Sequence, residues 1–132
     1  MSAMSAIRAA RLILAAAALV VAGCGGGATA NDHPPASLDP DSPRIAAQGI
    51  AFDSTALTVP ADRPFTLVFE NRENVPHNVS TYADSSRQDR RFEGAVFNGP
   101  ATRWYAVPAL TPGTYYFFCD VHPAMTGQLV AK

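Results

Sequence analysis

The chain has 132 residues, 48% of them hydrophobic and 16% charged, which is room for one domain with extra length at the ends. Its formal charge is −1 and its pI near 6.2, and it carries no basic stripe of the kind that neutralises phosphates, so nucleic acid is not an expected partner. Eleven prolines and nine glycines interrupt the chain often and favour short strands over long helices.

Arg8 and Arg11 precede an apolar run from Leu12 to Gly23, too short to cross a bilayer comfortably and typical of the core of an export signal. The run closes on "VAGC", Val21 to Cys24, which resembles a bacterial lipobox. That resemblance implies a signal peptide over 1–23, a lipid on Cys24, and an exported protein anchored to the cell envelope. The two arginines are not adjacent, so a twin-arginine signal is not indicated. Loss of residues 1–23 removes two arginines and no acid, which takes the formal charge from −1 to about −3. Residues 25–43, "GGGATANDHPPASLDPDSP", lack periodicity and read as a flexible tether, so 24–44 is expected to be linker and 45–132 the folded domain. His33 lies in that tether and reads as a solvated residue. With Cys24 acylated, Cys119 has no partner for an internal disulfide.

From Ile45 onward the pattern has period two. In "PFTLVFEN" Phe65, Leu67 and Phe69 fall on one face and Thr66, Val68 and Glu70 on the other. "HNVSTY", "TRWYAV", "TYYFFC" and "TGQLVAK" are similar runs rich in β-branched and aromatic residues, separated by turn signals at Pro60–Asp62, Asn98–Pro100 and Pro112–Gly113. The stretch 83–94 is polar and reads as a loop with a helical turn, its Arg87, Arg90 and Arg91 on a solvated face. About seven strands in roughly 90 residues predict an all-β, Greek-key antiparallel sandwich of seven to eight strands. Alternation along "TYYFFC" sends Tyr115, Phe117 and Cys119 inward, and Tyr116 and Phe118 outward.

Cys119 then opens the segment "CDVHPAM", where His122 and Met125 follow at intervals of three. A Cys–His nucleophile would need an orienting third residue and a cleft, neither of which the sequence offers. A structural zinc site would need paired Cys or His elements, and a binuclear copper site two thiolates in one loop. One cysteine, one methionine and two histidines form the soft and borderline donor set of blue-copper centres. The second histidine is His77, at the start of a strand, in preference to His33. Taken singly, Met125 reads as core filler, Cys119 as a small buried hydrophobe and His122 as a surface loop residue. Their coincidence in one loop points to a metal.

The pattern "PHNV" followed about forty residues later by "PGTYYFFCDVHPAM" resembles a small cupredoxin of the plastocyanin/amicyanin kind, over residues 45–132. The resemblance implies a β-sandwich holding one copper ion, cycling between Cu(I) and Cu(II), with His77, Cys119 and His122 as strong ligands and Met125 as the axial one. It implies a one-electron carrier and not an enzyme, monomeric, serving a cytochrome, oxidase or dehydrogenase outside the cytoplasm. The alternative is a copper-delivery protein, which would be expected to carry further Met or His clusters. Asn78 and Val121 are expected to support the site, through backbone N–H groups aimed at the Cys119 sulfur and through the Asn78 amide linking the two ligand loops. Asp120 reads as a solvated acid or turn former. Val75, Pro76, Pro123, Ala124 and Phe118 are expected to form the apolar surface where a redox partner docks.

Overall fold

The structure, a computed structural model, describes residues 30–132. Cys24 and the apolar run before it lie outside the described residues. Eleven strands follow in chain order: β1 (Ala30–Asn31), β2 (Arg44–Ala47), β3 (Ala56–Val59), β4 (Phe65–Asn71), β5 (Pro76–His77), β6 (Ser80–Tyr82), β7 (Arg90–Glu93), β8 (Phe97–Asn98), β9 (Ala101–Val107), β10 (Gly113–Phe118) and β11 (Thr126–Ala131). One sheet runs β1-β9-β4-β2, a second β3-β11-β10-β6-β7, and a two-stranded ladder joins β5 to β8. The result is a β-sandwich, as the period-two pattern predicts. Two pairings, β2 with β4 and β3 with β11, run parallel; between β2 and β4 the chain crosses to the other sheet to form β3 and then returns.

Between the sheets lies a single apolar cluster. Leu67 and Phe69 of β4 and Tyr105 and Val107 of β9 face Tyr115 and Phe117 of β10 and Leu129 of β11. Phe52 meets Phe117 edge-on at 5.3 Å between ring centroids and Phe69 at 6.3 Å, so aromatic contacts stitch the two layers together. The inward set along β10 is the expected one: Tyr115, Phe117 and Cys119 all belong to the buried cluster.

Two expectations need correcting. Residues 90–93, read as part of a loop, form β7 and pair with β6, since Phe92 buries itself opposite Thr81 and outweighs the polar residues around it. Part of the expected tether, Ala30 to Asp32, lies against the domain. Ala30 and Asn31 pair with Tyr105 and Trp104 of β9, and Asp32 bridges Arg103 at 2.8 Å. Their backbone groups complete the open edge of β9, a tertiary gain that composition does not reveal.

Candidate metal centre

β10 ends at Phe118, and the next residue, Cys119, is 0% exposed. The loop that follows closes on itself: the Met125 N–H donates to the His122 carbonyl at 2.9 Å, and the Cys119 N–H donates to the Met125 carbonyl at 3.0 Å. Met125 thereby returns, buried, to the cluster that holds Cys119. His77 arrives from the other side, on the short β5–β8 ladder, and is also 0% exposed. Asn71, fully buried, donates to the carbonyls of Val75 and Phe97 at 2.7 and 3.0 Å, which ties the turn before His77 to β8.

The Cys119 Sγ lies 3.6 Å from Nδ1 of His77 and 3.8 Å from Nδ1 of His122, and the two nitrogens are 3.2 Å apart. A point about 2.1 Å from each atom lies at the centre of that triangle, near the ~2.0–2.3 Å lengths of metal–imidazole and metal–thiolate bonds. The Nε2 of His77 lies 2.8 Å from Oε1 of Glu73, an acceptor that keeps the ring proton on Nε2 and leaves the Nδ1 lone pair directed into the triangle. The N–H of Ile50 donates to the same carboxylate oxygen at 2.9 Å. The Ile50 N–H first, then His77, hold the Glu73 carboxyl below the ordinary carboxylate range, against the opposing pull of burial. The spacing, burial and donor softness together fit one copper ion.

A second set of hydrogen bonds joins the two ligand-bearing loops. Asn78 accepts the Asp120 N–H at 2.8 Å and donates to the Asp120 carboxylate at 2.7 Å and to the Gly94 carbonyl at 2.9 Å. The hydroxyls of Ser80 and Tyr82 donate to that carboxylate as well. Burial pulls the Asp120 carboxyl upward, but these three donors together hold it below its ordinary value. Asp120 is therefore a clamp and not the solvated acid its position in a polar turn suggests. Among the described residues, the sulfur's partners within hydrogen-bond range are the two imidazoles, and Val121 presents an exposed side chain beside His122.

Phe118 also departs from expectation. It lies off the core cluster, but it is 7% exposed: the Arg87 guanidinium sits 4.9 Å above its ring and Tyr82 meets it edge-on at 5.7 Å. Arg87, exposed as expected, and Tyr82 together cover the Phe118 ring. Pro123 and Ala124 are exposed, and Val75 and Pro76 are half-buried. Sequence reasoning missed Glu73, Ser80 and Tyr82. The available signal for Glu73 was an acid four residues before a ligand histidine in a proline-bounded turn; no local signal marks the other two.

Two imidazoles and a thiolate converging at one end of a β-sandwich, beside a buried thioether, place the protein in the class of type 1 copper proteins. The chain belongs to the cupredoxin family, matching the Cupredoxin-like domain over residues 12–131. It is similar to Auracyanin-A of Chloroflexus aurantiacus, with 28% identity over 91% of this chain and 93% of that protein. It is also similar to Amicyanin-alpha of Methylorubrum extorquens, with 32% identity over 50% of this chain and 53% of that protein. The solved structure of auracyanin A, described as a "blue" copper protein, superposes with a TM-score of 0.60 at 25% identity, covering 69% of this chain and 98% of that one.

Proposed function

We propose that the protein is a one-electron carrier that holds a single copper ion at His77, Cys119, His122 and Met125 and works outside the cytoplasm, tethered to the cell envelope through a lipid on Cys24. The observation that carries this reading is the triangle of donor atoms, two of them on fully buried side chains, drawn together from residues 42 and 45 positions apart in the chain. Bound there, copper supplies a reversible Cu(I)/Cu(II) couple. The chain's part is to keep the donors still and dry. Glu73 fixes one imidazole and the Asp120 clamp fixes the thiolate strand, so little moves when the charge changes.

His122 is the one donor residue that is partly exposed, and it lies among the exposed Val121, Pro123 and Ala124. That rim is the proposed docking surface for a redox protein with an apolar face of its own. Burial of His77 and Cys119 favours carriage over delivery, because a receiving protein's ligands would have to reach the ion to take it. The support for the tether is "VAGC" at the end of the apolar run.

The test is the visible spectrum after Cu(II) addition. Wild type should develop an intense thiolate-to-copper charge-transfer band that is absent in Cys119→Ser, because a hydroxyl cannot donate charge as a thiolate does. A colourless wild type with bound Cu(II) ends the reading. For the anchor, Cys24→Ala should abolish incorporation of labelled fatty acid, and continued labelling would place the lipid elsewhere.

A further inference from the structure

The turn between β2 and β3 is unusual in its residue choice. Gln48 and Ala51 exchange both backbone hydrogen bonds, at 3.0 and 3.2 Å, around Gly49 and Ile50 with φ of 62° and 54°. Two successive left-handed residues suit a tight hairpin turn, but Asn or Gly is the usual second residue. A β-branched side chain in that region is strained, because its Cβ crowds the neighbouring carbonyl oxygen. Burial does not offset the strain, since Ile50 is 52% exposed.

What the turn does accomplish is to aim an N–H. The Ile50 amide donates to Oε1 of Glu73, 23 residues further on, and that same oxygen lies 2.8 Å from Nε2 of His77. Turns of this kind present backbone N–H groups as a small anion-binding concavity, and here the anion is a carboxylate of the same chain. Glu73 is also held by its own backbone: its N–H donates to Oδ1 of Asn71 at 3.1 Å, and its carbonyl accepts from Gly99 at 3.0 Å. Its position is thus set from three directions, and on the carboxylate itself the Ile50 N–H is the strongest backbone contact, with a smaller one from Gly49 in the same turn.

We propose that the Gly49–Ile50 turn is a positioning element for the metal centre: the Ile50 N–H fixes the Glu73 carboxylate, which keeps the proton of His77 on Nε2 and its Nδ1 free as the ligand atom. The inference rests on His77 being a ligand, as read above. Partners of a ligand histidine typically change metal affinity 10- to 100-fold when they are removed. Ile50 acts one step behind such a partner, so its effect should pass through Glu73.

The experiment uses the full-length protein in detergent, with two readouts that need no copper: the imidazole ¹⁵N shifts of His77 in metal-free protein, and the affinity for Zn(II), a redox-silent probe of the same donors. Ile50→Pro removes the N–H and forces φ to about −65°. It should mix the two His77 tautomers and weaken Zn(II) binding about tenfold. Ile50→Gly keeps both the N–H and the turn and should bind as wild type. Glu73→Ala should reproduce the Ile50→Pro effect, and the double variant should lose no more than Glu73→Ala alone. Multiplying losses in the double variant, or a wild-type tautomer and affinity in Ile50→Pro, overturns the proposal. Should Ile50→Pro not fold, amide exchange decides. In Glu73→Ala the Ile50 amide should exchange at least tenfold faster while Ala51 stays protected, and an unchanged Ile50 rate overturns the proposal. The metal-free tautomer keeps this test separate from the copper reading, which the charge-transfer band decides.

Discussion

Asp120 shows how much a single polar side chain can carry beside a metal loop. Its carboxylate accepts from Asn78, Ser80 and Tyr82, residues 38 to 42 positions earlier in the chain, and its own N–H returns a bond to Asn78. Removing it leaves the Ser80 and Tyr82 hydroxyls, both on buried residues, without their acceptor. A buried donor left unpaired costs about 1–3 kcal/mol, whereas losing an exposed turn acid costs almost nothing. Asp120→Ala should therefore lower the stability of the metal-free protein by about 2 kcal/mol in urea unfolding. A change below about 0.5 kcal/mol would mean that the carboxylate is solvated after all.

Among the elements, the β10–β11 hairpin bears directly on the site, since its last ladder pair, Phe118 and Thr126, brackets the loop carrying Cys119, His122 and Met125. Gly127 sits opposite Phe117 in that ladder. A Cβ at Gly127 would fall 2.3 Å from the Phe117 ring and 2.6 Å from the Thr55 carbonyl. Phe117 cannot move aside easily: it is 0% exposed and packs edge-on against Phe52. Gly127→Ala should cost about 1–3 kcal/mol through overpacking. Because Phe117 lies two residues from the thiolate, the variant should also shift the charge-transfer band of the copper-loaded protein. A variant with wild-type stability and spectrum would show that the hairpin accommodates the methyl group without strain at the ring.

At the scale of the molecule, an apolar cluster spans both sheets, and Glu73 and the Asp120 clamp tie down the segments that carry His77 and Cys119 through the chain's own hydrogen bonds. The metal-free protein should consequently be folded, with a near-UV circular dichroism spectrum close to that of the loaded form outside the copper bands. Metal then adds stability by mass action, about 4 kcal/mol when free ion reaches 1,000 times Kd. A metal-free form without near-UV signal would mean that the ion organises the site. The segment before β2 is a separate matter. β1 caps the edge of β9, and without it β9 becomes an outer strand with unpaired backbone groups. A chain beginning at Arg44 should self-associate at concentrations where one beginning at Gly25 stays monomeric, as light scattering after size exclusion would read. Equal masses for the two would leave β1 without that role.

The metal loop was legible in the sequence because its chemistry is local. Cys119, His122 and Met125 fall within seven residues, and a rule of period two carries the inward direction from Tyr115 and Phe117 to Cys119. His77 followed because the chain has only three histidines, one of them in a Pro- and Asp-rich segment. The sandwich itself followed from alternation and turn residues, both short-range signals. Tertiary structure alone decided what surrounds those ligands. Glu73 became the partner of His77, the strained Ile50 the partner of Glu73, Asp120 the clamp, and Arg87 with Tyr82 the cover over the Phe118 ring. The physical reason is that a side chain's periodicity reports which face it occupies, while its hydrogen-bond and stacking partners depend on which distant segments the two sheets bring to the same end.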